Sequence, residues 1–221
     1  MLGGMGVMEL LLPPACAGCA RYGAVLCARC LAEMRPARAP ADRFAAADPG
    51  IVTGEALELA LAAFVHVGAT RRVLQRLKYG GAARLAAPLA GAAMPALTDL
   101  LALVDGEAIL VPVPVHPARQ QQRGYNQAAL IAAELGRRGG LAVRDVLVRT
   151  RQTARQHGLS RAARLHNLRG AFGARRGLPP GATPVLVDDI LTTAATLEAC
   201  AEVLRDMGAR RVVGFAIARE V

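Results

Sequence analysis

Val185–Thr196 reads VLVDDILTTAAT. It opens on a β-branched apolar run, the composition of a strand buried on both faces of a parallel sheet. Two adjacent acids follow, Asp188 and Asp189. After Ile190 comes a hydroxyl-rich turn, Leu191, Thr192, Thr193, Ala194, Ala195 and Thr196, which leads into an alanine-rich helical stretch as far as Met207. Gly208 is a C-terminal stop, and Arg211 to Ala218 is again strand-like. Strand, helix and strand in so short a span form a βαβ unit.

Outward from this unit the same alternation continues. Ala108–Val115, AILVPVPV, is a second buried-type strand whose prolines lie towards its C-terminal end. A turn at His116-Pro117 precedes a helix over Tyr125–Arg138, with Leu130, Ile131 and Leu135 at helical spacing and Gly139-Gly140 closing it. Val143–Val148 is a further strand candidate, and Ala56–Val67 reads as a strand. Arg71–Tyr79 places Val73, Leu74 and Leu77 on one helical face, ended by Gly80-Gly81. A helix over Ala82 to Leu103 is expected to break or kink near Pro88 and Pro95. The chain reads as α/β: an open, mainly parallel sheet with helices on both faces. Arg149–Gly170 is polar, basic and long for a plain connection, which points to a functional or mobile segment.

In such sheets ligands bind beyond the carboxyl ends of the strands, where strand order reverses. Asp188 and Asp189 stand at a strand end, project differently, and can accept hydrogen bonds from vicinal hydroxyls or approach a metal through water. The amides and hydroxyls from Leu191 to Thr196 lie at a helix start, where unpaired N–H groups and the helix dipole favour a phosphate. Acids for a ribose and amides for its 5′-phosphate make matched subsites.

Four of the five cysteines lie near the N-terminus as Cys16-x-x-Cys19 and Cys27-x-x-Cys30. Two such knuckles can surround zinc with four thiolates and leave no open position, so the metal is expected to be structural and its loss to unfold the segment. Two disulfides and a redox Cys-x-x-Cys pair are the competing readings. The expected organisation is a zinc finger over 1–36, an alanine- and proline-rich linker over 37–55, and one α/β domain over 56–221.

A formal net charge of +10 and a sequence pI of about 10.6 favour anionic partners, phosphorylated small molecules or nucleic acid. The preference for arginine suits bidentate phosphate recognition, and a high-GC coding bias would produce it too. No uninterrupted apolar run reaches the ~18 residues of a membrane span. The opening MLGGMGVMELLLPP lacks a basic n-region, so a cytoplasmic protein without a signal peptide is expected.

VLVDDILTTAAT resembles the PRPP-binding motif of type I phosphoribosyltransferases. The four-cysteine start, LKYGG at Leu77–Gly81, VPVPV with RQQQRGYNQ at Arg119–Gln127, and the series Gln156, Leu159, Arg161, Asn167 narrow the resemblance to the ComF family of competence-related proteins. The resemblance implies a type I phosphoribosyltransferase-like sheet behind a small zinc knuckle. It implies that Asp188 and Asp189 hold ribose hydroxyls, and that Thr192–Thr196 wraps the 5′-phosphate. It further implies Mg²⁺ and pyrophosphate between the loop after Val115 and the basic segment from Arg149. Arg119, Arg123 and Arg161 are candidates for the pyrophosphate charge. Where the family usually has glycine, this chain has Ala194; alanine at positive φ costs roughly 1–2 kcal/mol, whereas a helical conformation there makes the exchange harmless.

Three functions follow: phosphoribosyl transfer from PRPP to an unknown acceptor, nucleic-acid handling on the same fold in DNA uptake, or an assembly adaptor docking through the knuckle. Single-stranded DNA or DNA-uptake proteins are the partners of the second and third. Absence of Trp, with three Tyr and four Phe, leaves few rings for base stacking. His66 and His116 read as structural, His157 and His166 as slightly better ligand candidates. Cys200 reads as a buried thiol, and Tyr125 as a base-stacking or packing residue.

Overall fold

A computed structural model describes residues 13–37, 54–79, 82–151, 168 and 170–220. Its helices and strands, in chain order, are α1 (Ala28–Ala32), β1 (Leu59–Val65), α2 (Gly68–Tyr79), a 3₁₀ turn (Ala83–Leu85) and α3 (Ala86–Leu101). Then come β2 (Ala108–Pro112), α4 (Pro117–Arg123), α5 (Gln127–Gly139), β3 (Ala142–Val143) and β4 (Leu147–Arg149). The chain closes with β5 (Phe172–Ala174), β6 (Thr183–Leu191), α6 (Ala195–Asp206) and β7 (Val213–Arg219). Five strands form a wholly parallel sheet in the order β1-β7-β6-β2-β3, and β4 and β5 form a separate antiparallel ribbon.

The sheet carries an apolar layer on each face because its central strands are apolar at successive positions. Val185 and Val187 of β6 pack with Leu74, Leu77, Leu89 and Ile131 from α2, α3 and α5. Leu186 faces the other way, towards Leu197, Cys200 and Leu204 of α6 and Leu147 and Phe172 of the ribbon. Helices thus cover both faces. Val73, Leu74 and Leu77 form the buried stripe of α2, as their spacing predicts.

Three local expectations need correction. The helix after Gly81 is not broken: Pro88 falls in the first turn of α3, where an N–H would have no helical partner, and the helix continues through Pro95 behind the buried Leu89, Ala93 and Leu97. The strand expected over Val143–Val148 is two, because the polar pair Arg144-Asp145 divides it; the Arg144 amide donates to the Leu110 carbonyl, and Asp145 pairs with Arg175 at 2.7 Å. The turn at His116-Pro117 is the start of a helix, α4, with Pro117 at its first position and Gly124 in the left-handed region as its stop. That helix buries no residue, so it shows no apolar periodicity to read.

The cysteine segment docks on the sheet edge. Arg35 and Ala37 exchange backbone hydrogen bonds with Val65 and Ala63, and Cys16, Leu26, Cys30 and Met34 share the apolar layer of Leu61, Leu74 and Leu77. The expected 37–55 linker lies mostly outside the described residues. Its end, at Gly54–Leu57, is held by Glu198 of α6, whose carboxylate accepts backbone N–H bonds from Glu55, Ala56 and Leu57 at 2.8, 2.7 and 3.1 Å. A Cβ on Gly54 would meet Glu198 Oε2 at 1.7 Å, so glycine is required for this close approach.

Candidate functional site

From β2 the chain passes to β3 on one side and returns to β6 on the other, so strand order reverses between β2 and β6. Beyond their carboxyl ends lies the crevice where open α/β sheets bind ligands. The Val113 amide donates to the Val187 carbonyl at 2.9 Å and keeps the two chains together past Pro112. Asn126 then fixes the far side of the loop: its Nδ2 donates to the Val113 carbonyl at 3.0 Å, while its Oδ1 caps α5 by accepting from the Ala128 amide at 3.0 Å.

The two acids at the end of β6 point to opposite faces, as neighbours on a strand must. Asp189 shares the face of Val185 and Val187 and forms an ion pair with Lys78 of α2 at 2.8 Å. It is nearly sealed, 5% exposed at the side chain, and its Oδ2 is out of line for a hydrogen bond. Asp188 is partly open and feels the charge of Arg149 and the proximity of Cys200 on the α6 side. The Asp189 amide donates to Asp188 Oδ1 at 2.8 Å. Desolvation, and then the Asp189 charge, push the Asp188 carboxyl up to about 8, against the opposing pull of Lys78 and the Asp189 amide.

After Leu191 the chain turns through Thr192 and Thr193 into α6. Thr193 Oγ1 is buried without a hydrogen-bond partner. Ala194 is buried and left-handed at φ 58°, directly before the first residue of α6, so a glycine here would be unstrained where alanine costs roughly 1–2 kcal/mol. The conformation is therefore the costly one of the two weighed from sequence.

Of the arginine candidates, Arg119 on α4 stands near enough to Arg149 of β4 for their charges to repel. Burial foremost, and then Arg119, lower the Arg149 pKa, and the Arg149 guanidinium lies over the Phe172 ring at 5.2 Å. Two cations held close together, one of them desolvated, suit an anion between them. Arg149 was not singled out from sequence, because its place beside Arg119 and Asp188 depends on the β4–β5 ribbon folding back. Arg123 is occupied differently, donating to Gln127 at 2.9 Å and covering the Tyr79 ring at 5.1 Å. Arg161 lies outside the described residues, as do Gln156, His157, Leu159, His166 and Asn167.

The remaining singled-out residues make contacts within the protein. Tyr125 donates its hydroxyl to the Leu77 carbonyl at 2.6 Å, and His116 caps α4 through Nδ1 at 3.2 Å from the Ala118 amide. His66, at the end of β1, lies 3.8 Å from Glu220, and burial lowers its pKa. Cys200 is wholly buried.

The sulfur atoms of Cys16, Cys19, Cys27 and Cys30 all lie within 4.8 Å of one another, the one such cluster of metal-ligand side chains among the described residues. The Cys19–Cys27 separation of 3.8 Å equals the edge of a tetrahedron with metal–sulfur bonds of about 2.3 Å. Amides of Gly18 and Cys27 point at the Cys16 sulfur at 3.4 and 3.3 Å. Burial raises the Cys16 pKa, but backbone hydrogen bonds outweigh it and bring the thiol down to about 6, whereas burial and neighbouring thiols push Cys30 up to about 12. Four adjacent thiols cannot all ionise alone, and a dication would let them. The set fits a metal such as zinc, held in a closed shell.

The chain matches the phosphoribosyl transferase domain over residues 121–219, which includes β6, its turn and α6. It is 34% identical over 113 residues to competence protein F of Haemophilus influenzae, covering 50% of this chain and 49% of that one. A second relative, the DNA utilization protein YhgH of Escherichia coli K12, is 38% identical over 114 residues, 50% of this chain and 48% of the relative. A third, the competence protein ComFC of Bacillus subtilis, is 32% identical over 116 residues, 52% of this chain and 46% of the relative. The matches span about half the length of each of these relatives. Among solved structures, an allosteric regulatory enzyme of purine biosynthesis aligns at 22% identity and a TM-score of 0.36 over 62% of this chain and 26% of that one, a likeness too low to carry weight. No described helix is long and apolar enough to cross a membrane.

Proposed function

We propose that this ComF-type chain binds PRPP or a closely related phosphosugar in the β2–β6 crevice, as a cytoplasmic protein. One observation carries the reading: a partly open carboxylate at the strand-order reversal is followed within one turn by the N-terminus of a long helix. Asp188, from the acid pair Asp188-Asp189, accepts from the ribose diol, and the turn Leu191–Thr196 with the α6 amides takes the 5′-phosphate. Arg119 and Arg149 face the pyrophosphate charge, with Arg123 and Arg161 as further candidates, and Mg²⁺ enters with the ligand. If transfer occurs, the C1–oxygen bond to pyrophosphate breaks, a nitrogen nucleophile of an unidentified acceptor bonds to C1, and pyrophosphate leaves. The chain's part is to position the groups and stabilise charge. Calorimetric titration of PRPP with Mg²⁺ into the full chain should give saturable binding, tighter than ribose 5-phosphate or pyrophosphate alone. Equal affinity for pyrophosphate and PRPP would overturn the sugar subsite, and no saturable heat would overturn the reading.

A second reading, nucleic-acid binding in DNA uptake, is favoured by α2 and α4. Neither helix contains an acid, Arg71, Arg72 and Arg76 are exposed on α2, and the contact of the half-buried Arg123 with Tyr79 joins the two helices. Tyr79 is 76% exposed and available to stack on a base. Single-stranded DNA should then bind with a steep salt dependence. An Asp188→Asn, Asp189→Asn double variant separates the readings: PRPP binding should vanish while DNA binding persists or strengthens. Adaptor contacts with DNA-uptake proteins would use the same surface or the zinc-loaded knuckle.

A further inference from the structure

The two acids of the site are not equivalent, and the difference is made by a residue far away in the chain. Asp189 is buried between the sheet and α2, and Lys78 Nζ stands 2.8 Å from its Oδ2. That oxygen is buried without any other polar partner, so the ammonium is its direct compensation. A carboxylate sealed from water and left alone would be neutralised or would pull the strand end out of place. Lys78 itself is 20% exposed, enough to keep part of its hydration.

Lys78 is held where it must be. It stands one residue before the end of α2, and the preceding carbonyl, Leu77, accepts the Tyr125 hydroxyl at 2.6 Å. At the other end of α2, Arg72 Nε donates to the Gly18 carbonyl at 2.6 Å, within the first cysteine knuckle. Gly18 itself is packed against the cysteine cluster, where a Cβ would meet the Cys30 sulfur at 2.7 Å. α2 is therefore fixed at both ends. From Asp189 the order passes to Asp188, because the Asp189 amide donates to Asp188 Oδ1 at 2.8 Å.

We propose that Lys78 is the positioning residue of this site: by pairing with Asp189 on the α2 face it fixes the end of β6, so that Asp188 alone presents its carboxylate to the ligand's hydroxyls. Asp189 then works through its backbone amide and not through contact with the sugar. This rests on the phosphosugar reading for the identity of the ligand, but not for the pairing itself.

The test is a double-mutant cycle on the full chain, read by PRPP–Mg²⁺ titration and by hydrogen exchange of residues 188–196. Lys78→Met should weaken PRPP binding at least tenfold and speed exchange of the Asp189 amide. Lys78→Arg, which keeps the charge, should stay within about threefold of wild type. Adding Asp189→Asn to Lys78→Met removes the buried charge that needed compensation, and should recover most of the affinity and the exchange protection. A double variant as poor as Lys78→Met in affinity but fully protected in exchange would overturn the proposal, by showing that Lys78 or Asp189 touches the ligand. If wild type binds no PRPP, the phosphosugar reading falls and exchange alone decides: unchanged protection in Lys78→Met would then refute the positioning role.

Discussion

The two ends of the parallel sheet are built on opposite principles. At the amino ends of the strands Arg211 is fully engaged: it donates to both Glu58 oxygens, to Asp105 Oδ2 and to the Leu103 carbonyl, and Thr183 Oγ1 donates to the Asp105 carbonyl. At the carboxyl ends His66 Nε2, Thr70 Oγ1 and Thr193 Oγ1 are buried without hydrogen-bond partners, Asp188 is held away from its ordinary ionisation, and Ala194 sits in a strained conformation. One end is optimised for stability. The other stores polar groups and strain, as ligand sites do, since a group already satisfied by the protein has little to offer a ligand.

Three measurements would break or sharpen that contrast. The largest effect is expected for Asp188→Asn, which replaces the carboxyl that meets the ribose hydroxyls with an amide and should weaken PRPP ten- to hundredfold, equivalent to roughly 1.5–3 kcal/mol. The same variant should not lose stability at pH 8. Because the folded pKa of Asp188 is raised, its contribution to stability is complete below its ordinary value of 3.8 and is lost as pH rises towards about 8. Thermal melts of wild type across that window should fall with pH through this group, and those of Asp188→Asn should be flatter. A steeper fall in the variant would show that the site is not strained by this charge.

Next in size is Arg211→Met at the other end. Its partners are partly solvent-exposed, so about 1 kcal/mol of stability should go, a shift in Tm of roughly 2–4 °C, with PRPP affinity unchanged. The pH signature is opposite in sign. Hydrogen bonding to Arg211 foremost lowers the Glu58 pKa, so that contribution is present above the ordinary carboxylate value and disappears as pH falls below it. A loss of PRPP binding in Arg211→Met would mean the two ends are coupled.

The smallest effect belongs to Ala194→Gly. Relief of roughly 1–2 kcal/mol of left-handed strain is offset by about 0.4–1 kcal/mol of added freedom in the unfolded chain, leaving between about 0 and 1.6 kcal/mol of stabilisation. PRPP affinity should rise no more than about tenfold. A larger gain would show that the alanine blocks the phosphate as well as straining the turn.

The sequence alone determined the parts whose information is local. β6, its turn and α6 are legible because apolar run, acids, hydroxyls and helix follow one another in the chain; α2 is legible from Val73, Leu74 and Leu77; and the four-cysteine cluster is legible from its spacing. The short α4, which buries no residue, and the three-residue β5 left no periodic trace. The tertiary structure alone decided that Asp189 is paired with Lys78 while Asp188 stays partly open, that Arg149 comes to stand beside Arg119, that Arg123 is engaged with Gln127 and Tyr79, and that Ala194 takes a positive φ. Each of these depends on which face a strand turns towards which helix, or on a backbone angle set by its neighbours. Such contacts join residues distant in the chain, and no local pattern of side chains encodes them.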